Sequence, residues 1–300
     1  MMTESLFRLL SSFLLLLAAT PFVQPINVAA AEDAPSGANL ALVATVSTSF
    51  VSGHETLAAL NDGSSPAHSD DKSHGAYGNW PQSGMQWVQY EWSQPVKVNR
   101  MDVYWFDDQR GVRLPQACRL KSWNGSAFVP VPEAMGLGLA RNQFNTTTFP
   151  ELTTTRLRLE MDSVEKFSTG ILEWRIYDSG NSPNFAPSVN AGVDRVVVLT
   201  GQTYLDGTVK DDGKPQAAPG VSWSKDSGPG DVTFADAGAA ATTARFSAPG
   251  VYVLKLTAQD GQASSSGTVT VAVDAAPPTE HLDAVPTTAY TITSPFWRAR

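Results

Sequence analysis

The feature that most constrains this chain is a two-residue hydrophobic period that recurs along most of its length. Val88, Tyr90 and Trp92 alternate with Gln89 and Glu91, and Val103 and Trp105 with Asp102 and Tyr104. Leu157, Leu159 and Met161 alternate with Arg156, Arg158 and Glu160, and Leu172, Trp174 and Ile176 with Glu173 and Arg175. Successive side chains of a strand point to opposite faces, so each run describes a half-buried strand. The period returns in Tyr252, Leu254 and Leu256 and in Val269, Val271 and Val273. Between these runs stand the turn dipeptides Asp206-Gly207, Asp212-Gly213, Pro249-Gly250 and Asp260-Gly261. No window of comparable quality outside the N-terminal segment has a helical period. Short strands joined by turns predict an all-β chain built of sandwiches or barrels.

At 300 residues the chain has room for about two such domains. Residues 38–178 form an aromatic-rich block. Residues 179–187, with Asp178 before them, are a Gly/Ser/Pro/Asn linker. Residues 188–273 form a second block, with Val193, Val197 and Leu199 around an early strand, Trp223 in a middle one and Phe246 before a turn. About seven strands in so short a block predict an immunoglobulin-like sandwich without the paired cysteines of antibody domains. Whether the two sandwiches pack together or swing on the linker is left open. Residues 274–300 are a Pro-rich linker and a tail that ends in Phe296-Trp297-Arg298 and beyond.

Residues 1–31 are expected to be an export signal, with Arg8 before the apolar run Leu9–Ala19 and small residues at Ala29-Ala30-Ala31 ahead of Glu32-Asp33. That run is shorter than the ~20 residues a membrane-spanning helix needs, so no integral membrane segment is expected after cleavage. The formal charge is −8, and no cluster of Lys or Arg offers the electrostatic footprint of a nucleic-acid binder. Cys118 is the only cysteine, so no internal disulfide can form. An exported β protein without disulfides points to a bacterial secreted or periplasmic chain, stabilised by its cores and expected to be a monomer. In that setting the glycosylation triplets at Asn124 and Asn145 are chance matches. Cys118 itself is expected to be buried and inert.

Particular motifs add a family resemblance. Ala58-Ala59-Leu60-Asn61-Asp62-Gly63, Trp87-Val88-Gln89-Tyr90-Glu91-Trp92, Val98-Asn99-Arg100-Met101-Asp102-Val103 and Gly170-Ile171-Leu172-Glu173-Trp174 follow one another as in the discoidin, or coagulation factor 5/8 type C, family. Glu91, Trp92 and Ser93 depart from that family's usual Asp, Leu and Gly. The resemblance implies a jelly-roll β-sandwich that in bacteria serves as a carbohydrate-binding module. It also implies a structural calcium ion between the Asp62-Gly63 loop and Glu173, with Ser65 nearby. Asn190-Ala191-Gly192-Val193-Asp194, Leu205-Asp206-Gly207, Trp223, Pro249-Gly250-Val251-Tyr252 and Thr257-Ala258-Gln259-Asp260-Gly261 resemble polycystic-kidney-disease (PKD) modules. Such modules are spacers or weak binders. Tyr290–Arg300 is similar to the opening of β-L-arabinofuranosidase-like glycoside hydrolases.

Sugar recognition on a sandwich requires a flat aromatic group for the C–H face of the ring and fixed polar groups for its hydroxyls. Trp105–Arg113 has that composition just after a strand, and Phe106, Asp108, Arg110 and Arg113 are the first candidates. His74, Tyr77 and Trp80 in the His68–Trp80 loop are the second set. Catalytic motifs are absent. His54-Glu55 begins a zinc motif, but Ala58 stands where the second histidine belongs. Asp107 and Asp108 are adjacent, so on a strand they would face opposite ways rather than oppose each other as glycosidase carboxylates do. The expected function is therefore a secreted, non-catalytic, polysaccharide-binding region that holds an attached partner near its glycan. Two alternatives stay open: the front of a glycoside hydrolase whose catalytic residues lie beyond Arg300, and an adhesion protein binding protein or lipid.

Overall fold

The computed structural model describes residues 37–216 and 218–276, and within them the chain is all-β. The expected export signal and the tail after residue 276 lie outside the described residues. None of the described helices is long and apolar enough to cross a membrane.

The first sandwich contains β1 (Thr45–Thr48), β2 (Tyr77–Gly78), β3 (Met85–Phe106), β4 (Ala117–Trp123), β5 (Phe128–Pro130), β6 (Phe144–Asp162) and β7 (Gly170–Asp178), with short 3-10 turns at Leu40–Val43 and Leu57–Asn61. The strand order is β2-β7-β3-β6-β4-β5, and β1 pairs with the front of β3. The stretches expected as separate strands around Val88 and Val103 are one long strand. Its register against β6 breaks between Glu91 and Val96 and between Val98 and Arg100, where Ser93, Gln94 and Pro95 are exposed. An extra residue on one side of a ladder bends the strand. The front of β3 thus pairs with β1 and its rear with β7.

The alternation has the expected inward face. Val88, Tyr90, Trp92, Met101, Val103, Trp105, Leu157, Leu159, Met161, Trp174 and Ile176 share one core. The rear of β3 departs from it, because Tyr104 and Phe106 are buried as well. They meet Ala76, Val112 and Leu172 in a small second core on the outer face of the sheet. Loops cover that face, so this strand end is apolar on both sides.

Each buried tryptophan finds a partner for its indole N–H, as an aromatic side chain with one polar atom must when it leaves water. Trp92 donates to Leu40 O (2.8 Å), Trp105 to Gly138 O (2.9 Å), and Trp174 to Met101 Sδ (3.2 Å). The Trp174 ring stacks on Tyr90 at 4.3 Å between centroids.

The second sandwich comprises β8 (Ser188–Asn190), β9 (Arg195–Val198), β10 (Gln202–Asp206), β11 (Thr208–Lys210), β12 (Gly220–Ser227), β13 (Val232–Phe234), β14 (Ala241–Phe246), β15 (Gly250–Gln259) and β16 (Ser264–Asp274). A four-stranded sheet β12-β15-β16-β9 and a three-stranded sheet β10-β14-β13 accompany the pair β8-β11. Trp223, Tyr252, Leu254, Leu256, Val269, Val271 and Val273 fill the core as their alternation predicts. Trp223 donates to Ala240 O at 3.0 Å. Val193 and Leu199 stand on either side of β9. Val193 is 65% exposed ahead of β9, which turns Val197 inward and leaves Val196 and Val198 outside.

The segment 179–187 is held from both sides. Lys97 N donates to Ser182 Oγ (2.8 Å), Phe185 N to Asp212 Oδ2 (3.0 Å) and Asn184 Nδ2 to Asp260 Oδ2 (2.9 Å). Phe185 itself is buried in the core of the first sandwich, and Lys214 pairs with Asp178. A strap so bonded positions one sandwich on the other.

Truncating a fully buried aromatic removes its transfer free energy and leaves a cavity. Trp174→Ala is therefore expected to destabilise the protein by about 3–5 kcal/mol, measured by urea unfolding. A loss under ~1 kcal/mol would mean that this core does not hold the sandwich together.

Candidate functional site

The loop after β3 is built by its own carboxylates. Asp107 Oδ1 accepts from Gln109 N (2.7 Å), and Asp108 Oδ1 accepts from Arg110 N (2.8 Å) and Val112 N (3.0 Å). Side-chain acceptors of this kind replace backbone partners and hold a turn in one shape. The loop is then bonded to the segment before β7, with Ser168 N donating to Gly111 O (3.0 Å) and Arg113 N to Ser168 O (2.8 Å).

Beside it lies the His68–Trp80 loop. Asp71 accepts from Ala67 N (2.9 Å) and Ser73 N (3.0 Å), and these bonds hold its carboxyl below the ordinary range. Where the two loops meet, Trp80 forms a wall of a cleft of about 270 Å³ with His54, Glu55, Asp108, Gly111 and Val112. Trp80 is 47% exposed, which is unusual for the largest apolar side chain. Its ring lies 5.8 Å from that of His54. Gly111 lies against the indole: a β-carbon there would stand 3.4 Å from the Trp80 ring, in ordinary contact. Glu55 Oε1 pairs with Lys72 Nζ at 3.2 Å, and its Oε2 has no hydrogen-bond partner.

Of the expected residues, the structure brings Trp80 and Asp108 together in this cleft. Tyr77 and Phe106 need correction as candidates. Tyr77 is 0% exposed, with its hydroxyl 2.8 Å from Thr48 Oγ1, and Phe106 is 1% exposed in the small outer core. Neither ring can offer a face to a ligand. Arg110 and His74 are exposed on their loops and do not line the cleft. Arg113 turns to a separate cleft with Leu114, Val164 and Phe167, its guanidinium 5.3 Å from the Phe167 ring centre. His54 and Glu55 are the residues that sequence reasoning missed. They join the site from a segment some 25 residues before Trp80, and the sequence offered only their broken zinc motif as a signal.

An exposed indole face beside two carboxylates and an imidazole suits a polyhydroxylated ring. The ring's C–H face can lie on the indole while its hydroxyls donate to Asp108. Nothing here resembles a nucleophile with its base. Cys118 is half-buried, and burial pushes its thiol up to about 11, so it is protonated at neutral pH.

Asp62, Ser65 and Glu173, the residues expected to hold calcium, do come together. Oxygens of the 61–65 loop that such an ion would collect are nevertheless engaged. Arg175 Nη2 donates to Ser64 O and to Ser65 Oγ (2.9 Å), and Lys210 Nζ to Asn61 O (2.8 Å). Arg175 and Lys210 thus take up loop oxygens that such an ion would need. Glu173 is 0% exposed and neither carboxylate oxygen has a hydrogen-bond partner. Burial raises it to about 8 from the ordinary 4.5, Arg175 opposes that rise, and Asp62 adds to it. Lys210 and the buried Tyr90 also share this field.

A carboxyl raised on folding binds its proton more tightly in the folded state. Its contribution is fully present below the unfolded value of 4.5 and is lost as pH rises through about 8. Stability should accordingly fall between these pH values, and Glu173→Gln should flatten that slope in urea titrations at several pH values. An unchanged slope in the variant would assign the pH dependence to another group.

Residues 191–273 match the K319L-like PKD domain family. Among solved structures, the chain is similar to the β-galactosidase BgaA of Streptococcus pneumoniae, at 16% identity over 49% of this chain and 97% of that one, with a TM-score of 0.41. It is similar to the family 32 carbohydrate-binding module of NanJ from C. perfringens in complex with galactose, at 14% identity over 47% and 98% of the two chains, TM-score 0.39. The PKD domain of the KIAA 1837 protein matches at 26% identity, covering 34% of this chain and all of its own, with a TM-score of 0.26.

Proposed function

We propose that this chain is a secreted, non-catalytic glycan-binding region whose first sandwich seats a sugar ring in the Trp80 cleft. The observation that carries the reading is the half-exposed indole of Trp80 beside Glu55 and Asp108, in a cleft whose loops are already bonded in place. A preformed site loses little ordering entropy on binding. With Glu55 already paired to Lys72, Asp108 favours a neutral or amino sugar over an acidic one, because its carboxylate would repel a uronate or sulfate. The second sandwich acts as a spacer, and the bonded strap before it gives the cleft a constant orientation toward whatever follows. A single shallow site binds weakly, and tethering to a partner makes such binding useful.

The test is a glycan array with the full chain, followed by calorimetry on the best neutral glycan. Trp80→Ala is expected to weaken binding at least tenfold, since full use of an indole face is worth more than ~1.4 kcal/mol. If Arg113→Ala abolished binding while Trp80→Ala did not, the site would be the Phe167 cleft instead. Preference for acidic glycans, or binding to none, would overturn the proposal.

A further inference from the structure

Two side-chain cations converge on the loop between Asn61 and Ser65 from different modules. Arg175, on β7, donates Nη2 to Ser64 O, to Ser65 Oγ (2.9 Å) and, at 3.5 Å, to Gly63 O. Lys210, on β11 of the second sandwich, donates Nζ to Asn61 O (2.8 Å) and to Asn61 Oδ1 (3.2 Å). Asn61 is buried and committed on its other side as well, since its Nδ2 donates to Ala41 O at 2.7 Å. Backbone carbonyls, an amide oxygen, a hydroxyl and nearby carboxylates are the set that a hard divalent cation gathers, at about six to eight oxygens. Here the carbonyl, amide and hydroxyl oxygens are shared between a guanidinium and an ammonium, and Arg175 Nε stands 3.5 Å from Glu173 Oε1.

Charge leads to the same conclusion. Asp62 and Glu173 supply at most two negative charges, and Arg175 and Lys210 already match them. A divalent ion entering beside these groups would leave an excess of positive charge next to a fully buried side chain, which is costly. Leaving water holds the half-buried Lys210 below its ordinary range, and the fields of Asp62 and Glu173 offset part of that cost.

We propose that Lys210 and Arg175 together take the place of a structural metal ion at this loop. Because Lys210 arrives from the second sandwich, the same contact clasps the two modules. The groove between them, lined by Val46, Leu57 and Asn61 on one side and Ser188, Thr208 and Lys210 on the other, is spanned at this point by the lysine. Where a metal would make the loop a property of the first sandwich alone, the lysine makes its order depend on the second.

Two measurements on the full chain test this. The melting temperature of the wild type should be unmoved by millimolar calcium chloride or by a chelator. Hydrogen exchange at residues 61–65 should accelerate about tenfold or more in Lys210→Met, as expected for losing charged hydrogen bonds, and should remain slow in Lys210→Arg. A calcium-dependent rise in the wild-type melting temperature would overturn the proposal, and this arm requires no variant to fold. Unchanged exchange at 61–65 in Lys210→Met would overturn it equally.

Discussion

Much of the first sandwich depends on where the hydroxyl of Tyr90 sits. The ring is buried against Trp174, and its oxygen lies 2.6 Å from Leu60 O and 2.8 Å from Trp174 O. A buried phenol must have such partners, and two carbonyls in a dry core must have a donor. One side chain on β3 therefore ties the 57–61 turn to the closing strand β7. From that tie follows the placement of everything just after the turn. Asn61, Asp62 and Ser65 are brought over Glu173 and Arg175, and burial with the neighbouring carboxylates raises the phenol well above its ordinary value. The segment leading into the turn carries His54 and Glu55 to the Trp80 cleft, so the same tie serves both the candidate binding site and the clasp.

The strands were legible in the sequence because burial on one face imposes a period of two that local composition cannot hide. Val88, Tyr90, Trp92, Leu157, Leu159 and Met161 lie where their alternation places them. The period misled only where a strand is covered on both faces. Tyr104 and Phe106 were expected to face outward, yet loops roof that side, and a single-sequence pattern carries no information about what a distant loop will cover. The same limit explains the binding candidates. Composition pointed to the two loops that line the Trp80 cleft, because aromatic and acidic residues cluster there. It did not tell which rings are walls and which are core, so Tyr77 and Phe106 stood beside Trp80 as equals. His54 and Glu55 were invisible for a different reason: they enter the cleft through the fold rather than through proximity in sequence. Lys210 was further from view still, since its partner loop belongs to another module.

The chain is acidic, and the way it employs its cations accounts for the character of its surface. Many basic side chains are committed to buried or half-buried carboxylates. Asp107 meets Arg113 and Arg141, Glu160 meets Arg119 and Lys121, and Asp178 meets Lys214. A carboxylate taken from water without a partner is strongly unfavourable, so these pairs are conditions of burial more than sources of net stability. The consequence reaches the surface. Arginines that hold Asp107 and the 61–65 loop inside the sandwich are not available to form an exposed basic patch. The cleft beside them is left with an indole, an imidazole, Asp108 and the Glu55–Lys72 pair. On the glycan-binding reading proposed above, recognition would rest on an apolar face and hydroxyl donors, and this internal pairing of cations is why a neutral or amino sugar is proposed over an acidic one.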